Sequence, residues 1–316
     1  MSEFNPISCI KTLCALKKRQ LEGAQKAALY IKNILQENAV LFSSELLATT
    51  VPRFISANLL IDGTPIPCLA TGLKSGIIKS KKTIISSLTS SQSFLYEENI
   101  NFNPLCATAI SRSNHYFAPS IAVLRDDVNR ILQATTVIGE IKVKPTEYIN
   151  EQIFVGNQKN PDNILFCHYD SLGPGATDNA SGVAVLLSLI IETPMLLNTC
   201  LFVFDGNEEL SYDQPIYWGN GYRVFENRYG RLLENAGRIF VVDCVGDSTV
   251  SFINDPTICR LAFPIKQLER YLKKITLVSG DYDTLMQVYH SEADLPGRID
   301  QVQLQHAVAE LKQQLK

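Results

Sequence analysis

The stretch "ILFCHYDSLGPGATDNASGVAVLLSL", Ile164 to Leu189, decides how this chain is read. Its apolar opening predicts a buried strand, and its apolar close predicts a helix. A strand that is apolar on both faces and is followed by a helix belongs to a parallel sheet covered on both sides. The polar residues collect at the junction. His168 ends the strand, Asp170 follows two residues on, and Asp178 stands just before the helix. The chain holds only four histidines, so a histidine placed here, between aspartates, needs an explanation.

Ligands of an open parallel sheet bind beyond the carboxyl ends of its strands, and two further predicted strands end in acids. "TCLFVFDG" runs on into Glu208 and Glu209, and "RIFVVDCVG" reaches Asp243 at its end. His290, in "VYHSEAD", comes later from a less regular segment. Each of these has an ordinary reading. A strand-end histidine is commonly a satisfied polar residue, a Glu-Glu pair is commonly surface charge, and a terminal aspartate often caps a helix or makes a turn. Taken together they place five or six donors at one edge of one sheet, where desolvated acids would repel one another. A cation resolves that repulsion. Two histidines, two aspartates and a glutamate (His168, Asp178, Glu209, Asp243 and His290) suit zinc, with cobalt or manganese as substitutes. Asp170 would accept the proton on the other ring nitrogen of His168 and fix its tautomer. Gly173 and Gly175 would let the backbone turn from strand to Asp178, and Pro174 would stiffen the turn. Cys167 and Cys244 adjoin ligands, and strand alternation should point both to the opposite sheet face.

The rest of the chain surrounds this unit. Residues 8–38 carry apolar residues at three- and four-residue steps and predict helices, and 39–46 predict a short strand. From about Val51 to Lys144 short β runs are cut by Gly, Pro, Ser and Asn, as in "SANLLIDGTPIPCLATG", "SGIIKSKKTIISSL" and "VIGEIKVKP". One helix-like piece, "RDDVNRILQA", interrupts them. Strands and helices alternate from about Asn150 to a final helix, "IDQVQLQHAVAELKQQLK". The expectation is an α/β fold with a mostly parallel, mixed central sheet and helices on both faces. Residues 1–49 and 146–316 would form a discontinuous catalytic domain, with 50–145 a small inserted β-rich module.

Bulk composition excludes some functions. The chain has 316 residues, 46% of them hydrophobic, and a net charge of −3. No basic excess marks a nucleic-acid binder. The cluster Lys17-Lys18-Arg19, with Glu22 behind it, reads as a solvated helix face. No apolar run reaches the ~18 residues of a membrane span, and the first residues lack the pattern of a secretory signal. The eight cysteines form no CxxC pair, which suits reduced thiols and a cytoplasmic location.

The words "HYDS…GATDNASG", "FDGNEE", a strand-end Asp and "YHSEAD" resemble the di-zinc aminopeptidases of metallopeptidase family twenty-eight. That family includes bacterial leucyl aminopeptidases, glutamate carboxypeptidase, the transferrin receptor ectodomain and the glutaminyl cyclases. The resemblance covers residues 168 to 294. It implies the phosphorylase/hydrolase-like fold of zinc peptidases and a cofactor of two zinc ions. His168 and Asp243 would hold one ion, Glu209 and His290 the other, and Asp178 would bridge them. Glu208 would be the general base, the substrate a peptide, and the reaction release of its N-terminal residue. "PSIAVLRDDVNRILQ" is similar to the end of the protease-associated domain that many members carry as an insertion.

The sequence also departs from that pattern. His290 follows Asp243 by only 47 positions, where many members have a longer segment. The short segment leaves open a homo-oligomer in which a neighbouring subunit completes the pocket. After the Glu-Glu pair stands "LSYDQPIYWGNGYRVFE", whose Tyr217, Trp218 and Tyr222 would either line a pocket or pack a surface loop. Three alternatives therefore stand beside the aminopeptidase: a glutaminyl cyclase, another amide hydrolase on the same fold, and a non-catalytic binding protein.

Overall fold

A computed structural model of the protein describes residues 4–79, 83–88 and 96–315. Helices α1 (Pro6–Ala15) and α2 (Glu22–Glu37) lead into the strand β1 (Phe42–Ile61). Short strands follow: β2 (Thr64–Ile66), β3 (Leu69–Ala70), β4 (Gly76–Ile78), β5 (Ile84–Ser86), β6 (Asn99–Phe102) and β7 (Ser120–Ala122). Helix α3 (Val128–Gln133) and the strand β8 (Val137–Gly156) come next. Then strands and helices alternate: β9 (Asn163–His168), α4 (Ser181–Glu192), β10 (Cys200–Asp205), α5 (Asn220–Asn235) and β11 (Arg238–Val242). The chain closes with β12 (Ser251–Ile253), α6 (Pro256–Ala262), α7 (Leu268–Tyr271), β13 (Ile275–Ser279), α8 (Tyr282–Met286) and α9 (Gln301–Gln314).

Two compact units divide the chain. The first comprises 1–49, 148–285 and 294–316, and the second 50–147 and 286–293. Sheet order in the first unit is β12-β13-β11-β9-β10-β8. The pairs β13–β11, β11–β9 and β9–β10 are parallel, while β12 and β8 run antiparallel to their neighbours. This is the mixed, mostly parallel α/β sheet that the apolar strands predicted. Alternation along β9 sends Leu165 and Cys167 to a core shared with α1, α2, α4 and α9, and Ile164 and Phe166 to a second core under α5, α6 and α7. Cys167 therefore sits where strand geometry places it. Helix α1 begins on Asn5, whose side chain accepts from Ser8 N at 2.9 Å, with Pro6 at its first position. Helix α2 buries Ala24, Ala27, Ala28, Ile31, Ile34 and Leu35 along one stripe.

Sequence patterning misjudged two lengths. The strand expected over 39–46 begins at Phe42 and continues to Ile61. The segment after Asp243 adds two strands that patterning did not single out, β12 and β13, because Ile275, Leu277 and Val278 bury against the sheet. In the second unit β1 turns into β2 at Asp62-Gly63, both at positive φ, with Ile61 paired to Thr64. That is the Asp-Gly hairpin signal in its expected geometry. A four-stranded sheet, β3-β7-β6-β5, and the core residues Leu59, Ile78, Ile100, Ile121, Ile131 and Ile141 complete this unit. Within the stretch expected as "SGIIKSKKTIISSL", Ser80 to Lys82 lie outside the described residues.

Candidate metal centre

Three parallel neighbours, β11, β9 and β10, finish side by side, with His168 in register with Asp205. His168 is the last residue of β9, and its side chain is 1% exposed. Nε2 lies 3.3 Å from Asp178 Oδ1 and 3.3 Å from Asp243 Oδ1. An imidazole nitrogen carries at most one hydrogen, so it cannot serve both carboxylates as donor. Burial favours the neutral ring, but Asp243, Asp170 and Asp178 together outweigh it and hold His168 well above its ordinary value.

Among the described residues, two groups of side chains come within metal-binding reach: His168, Asp178 and Glu209, and Asp178, Asp243 and Cys244. The donor atoms in each group lie within 4.8 Å of one another. Asp178 belongs to both groups. Carboxylates this close to one another and to a buried imidazole, two of them buried themselves, need positive charge among them. One imidazole with three carboxylates fits a zinc-class cation in number and hardness.

Local structure delivers each residue. Asp178 and Asn179 have non-helical backbone inside the turn Ala176–Ala180 that precedes α4. Asp294 fixes this turn: Oδ1 accepts from Thr177 N at 2.9 Å and Oδ2 from Asp178 N at 3.0 Å. Gly175, at φ +59°, enters the turn in a left-handed conformation and leaves no room for a Cβ beside Asp178 O. The Glu-Glu loop is tied to the first strand. Asp170 accepts Glu208 N at 3.1 Å and Glu209 N at 3.0 Å, and also Gln20 Nε2 at 3.0 Å. Glu209 is buried, whereas Glu208 keeps partial access to solvent. Burial raises the Glu208 carboxyl well above its ordinary value. His168 opposes this rise, and Glu209, Asp170 and Asp243 add to it.

Residues 153–214 match the family model described as Peptidase family M28. Over these residues the chain resembles that family. Zinc is the metal that this likeness implies. Among solved structures the chain is similar to the zinc aminopeptidase from Bacillus subtilis, at 15% identity and TM-score 0.65, over 97% of this chain and 94% of that one. It is also similar to a Peptidase M28 precursor from Shewanella amazonensis, at 14% identity and TM-score 0.67, over 98% and 92%. A glutaminyl cyclase from Porphyromonas gingivalis aligns at 12% identity and TM-score 0.50, over 98% and 96%. No curated protein sequence matches.

The geometry of this centre corrects several expectations. Asp170 reaches the second ring nitrogen of His168 chiefly through its backbone: Nδ1 lies 3.1 Å from Asp170 O and 3.4 Å from the carboxylate. The carboxylate is occupied in holding the Glu-Glu loop. Cys244 does not face the opposite side. Strand β11 stops at Val242, and Cys244 stands at φ +57°, so alternation no longer applies and its thiol joins Asp178 and Asp243. Arg19 is no solvated residue; it is 0% exposed, and its guanidinium donates to Tyr169 O, Pro174 O and Gly175 O at 2.7, 2.5 and 3.0 Å. The Tyr222 ring packs on Phe166 and Phe263 in the core rather than in a surface loop. Trp218 donates to Leu261 O at 3.0 Å. His290 falls in the second unit, where Nδ1 lies 3.1 Å from Arg112 O.

The sequence reading also passed over Asp205, Asp294 and Asn179. Asp205 is wholly buried at the end of β10, and Gly221 of α5 packs against its carboxylate with no room for a Cβ. Asn179 bridges the Asp178 turn to β11 by donating to Val242 O at 2.8 Å. An acid ending an apolar strand was a readable signal for Asp205. Nothing in the sequence marks Arg19.

Proposed function

We propose that the chain is a metal-dependent exopeptidase, an aminopeptidase that removes N-terminal residues from peptides. The observation that carries this reading is the convergence of His168, Asp178, Asp243 and Glu209 where β9, β11 and β10 end. By the order of the motifs, His168 and Asp243 would hold one zinc ion, Glu209 and His290 a second, and Asp178 both, with cobalt or manganese as substitutes. Such a pair, when bound, supplies a water of lowered pKa and a Lewis acid for the scissile carbonyl.

The chain's own contribution is proton handling and orientation. Glu208 stands beside the buried Glu209 with its backbone N–H fixed by Asp170 and its side chain partly open to solvent. It is the general base of this reading: it takes a proton from the attacking water and returns it to the leaving amine. Asp170 is the positioning residue, because it holds the adjacent glutamates at fixed heights above the sheet. Acids near the second ion would hold the free α-amine of the substrate and so restrict cleavage to chain ends. The 50–145 module is read as a protease-associated-like insertion, and a homo-oligomer as the means of completing a short lid. Among the described residues no helix is long and apolar enough to cross a membrane.

Metal analysis together with a panel of aminoacyl chromogenic substrates, run with added Zn, Co and Mn, tests this reading. The expected result is about two ions per chain and turnover that Glu208→Gln largely removes while metal is retained. One ion, with cyclisation of N-terminal glutaminyl peptides instead of hydrolysis, would transfer the chain to the cyclase reading. No ion and no turnover would leave a binding protein.

A further inference from the structure

Cys244 stands at the edge of the metal centre. It directly follows Asp243 beyond the end of β11, with φ at +57°, a region that side chains other than glycine, asparagine and aspartate seldom adopt. The backbone is held there from both sides. Its N–H points to Asn179 Oδ1 at 3.4 Å, and its carbonyl accepts Gly280 N at 2.8 Å. The residue is 4% exposed. The thiol donates to Asp243 Oδ1 at 3.2 Å, and Sγ lies within 4.8 Å of donor oxygens of both Asp178 and Asp243. Of the eight cysteines, it is the one that enters a metal-binding group among the described residues.

We propose that Cys244 is a metal ligand, which makes the Asp178–Asp243 side of the centre a mixed carboxylate–thiolate site for thiophilic divalent ions. The proposal rests on the metal centre described above and adds a donor to it. On ligation the S–H bond now directed at Asp243 breaks, and its proton leaves by that carboxylate to solvent. The sulfur lone pair then forms the bond to the ion, one proton released per ion bound. Thiolate is a soft donor, so zinc, cadmium and cobalt gain from it, whereas manganese and magnesium prefer oxygen ligands. The preference among metals is therefore set by a residue outside the His–Asp–Glu set.

The test uses the full chain, stripped of metal and kept reduced. X-ray absorption of the zinc-loaded protein should show a sulfur shell at about 2.3 Å in addition to nitrogen and oxygen at about 2.0–2.2 Å. Titration with cadmium or cobalt should raise a thiolate-to-metal charge-transfer band in the near ultraviolet. In Cys244→Ser and Cys244→Ala that band should vanish while ions still bind. The affinity ratio of zinc over manganese should then fall about tenfold or more, the scale seen when a metal site loses an interacting group. A zinc-loaded wild-type protein with nitrogen and oxygen shells alone overturns the proposal without any variant having to fold. So does a band that survives in Cys244→Ala. Failure of the wild-type chain to bind any of these ions would instead remove the metal centre itself, and the ligand role with it.

Discussion

The backbone N–H of Glu209 donates to the Asp170 carboxylate over 3.0 Å, joining the residue that follows β10 to the loop that follows β9. The same carboxylate accepts Glu208 N. Two adjacent N–H groups and the amide of Gln20 thus converge on one buried acid. Replacing it with Asn leaves only one acceptor oxygen for these donors. Asp170→Asn should weaken metal binding and turnover by about 10- to 100-fold, the usual cost of losing a group that orients ligands. Competition with a chromophoric chelator measures the first, and steady-state kinetics the second.

Glu208→Gln separates chemistry from metal binding. The amide keeps shape and backbone contacts but cannot accept the proton. We expect unchanged metal content, KM changed little, and kcat lower by about 10²–10⁴. Equal kcat in the variant and the parent would take Glu208 out of the reaction.

Arg19 is expected to stabilise the strand-to-turn loop rather than act on substrate. Three carbonyls depend on its guanidinium, and buried acceptors left without a donor cost about 1–3 kcal/mol each. Arg19→Met should lower unfolding free energy by about 3–5 kcal/mol in urea melts. Arg19→Lys supplies charge without the planar fork and should recover only part of this. A melt unchanged in Arg19→Met would contradict the clamp.

Asp205 makes the metal-free protein sensitive to pH. Burial pushes its carboxyl up to about 7, and repulsion from Asp170 adds to the shift. Between the unfolded value and about 7 the native state holds a proton that the unfolded chain has lost, so stability falls as pH rises through this window and levels off above it. Asp205→Asn should flatten that slope, a difference on the order of a few kcal/mol between pH 4 and pH 8. Urea unfolding at each pH reads it. A slope as steep in the variant as in the parent would assign the effect elsewhere.

Much of this protein was determined by its sequence alone. Apolar runs bounded by turns marked β9, α4, β10 and β11, because strands of a parallel sheet covered on both faces are apolar throughout. The strand ends were legible for the same reason, and with them His168, Asp178, Glu208, Glu209 and Asp243. The tertiary structure decided what lies beyond strand periodicity. Once β11 stops at Val242, side-chain direction follows backbone dihedrals, so the thiol of Cys244 turned toward the acids. Arg19 is called into the interior by carbonyls about 150 residues away in the chain. Asp170 serves two N–H groups that only the neighbouring strand brings within reach. Such partners are chosen by contact in space, and local pattern carries no record of them.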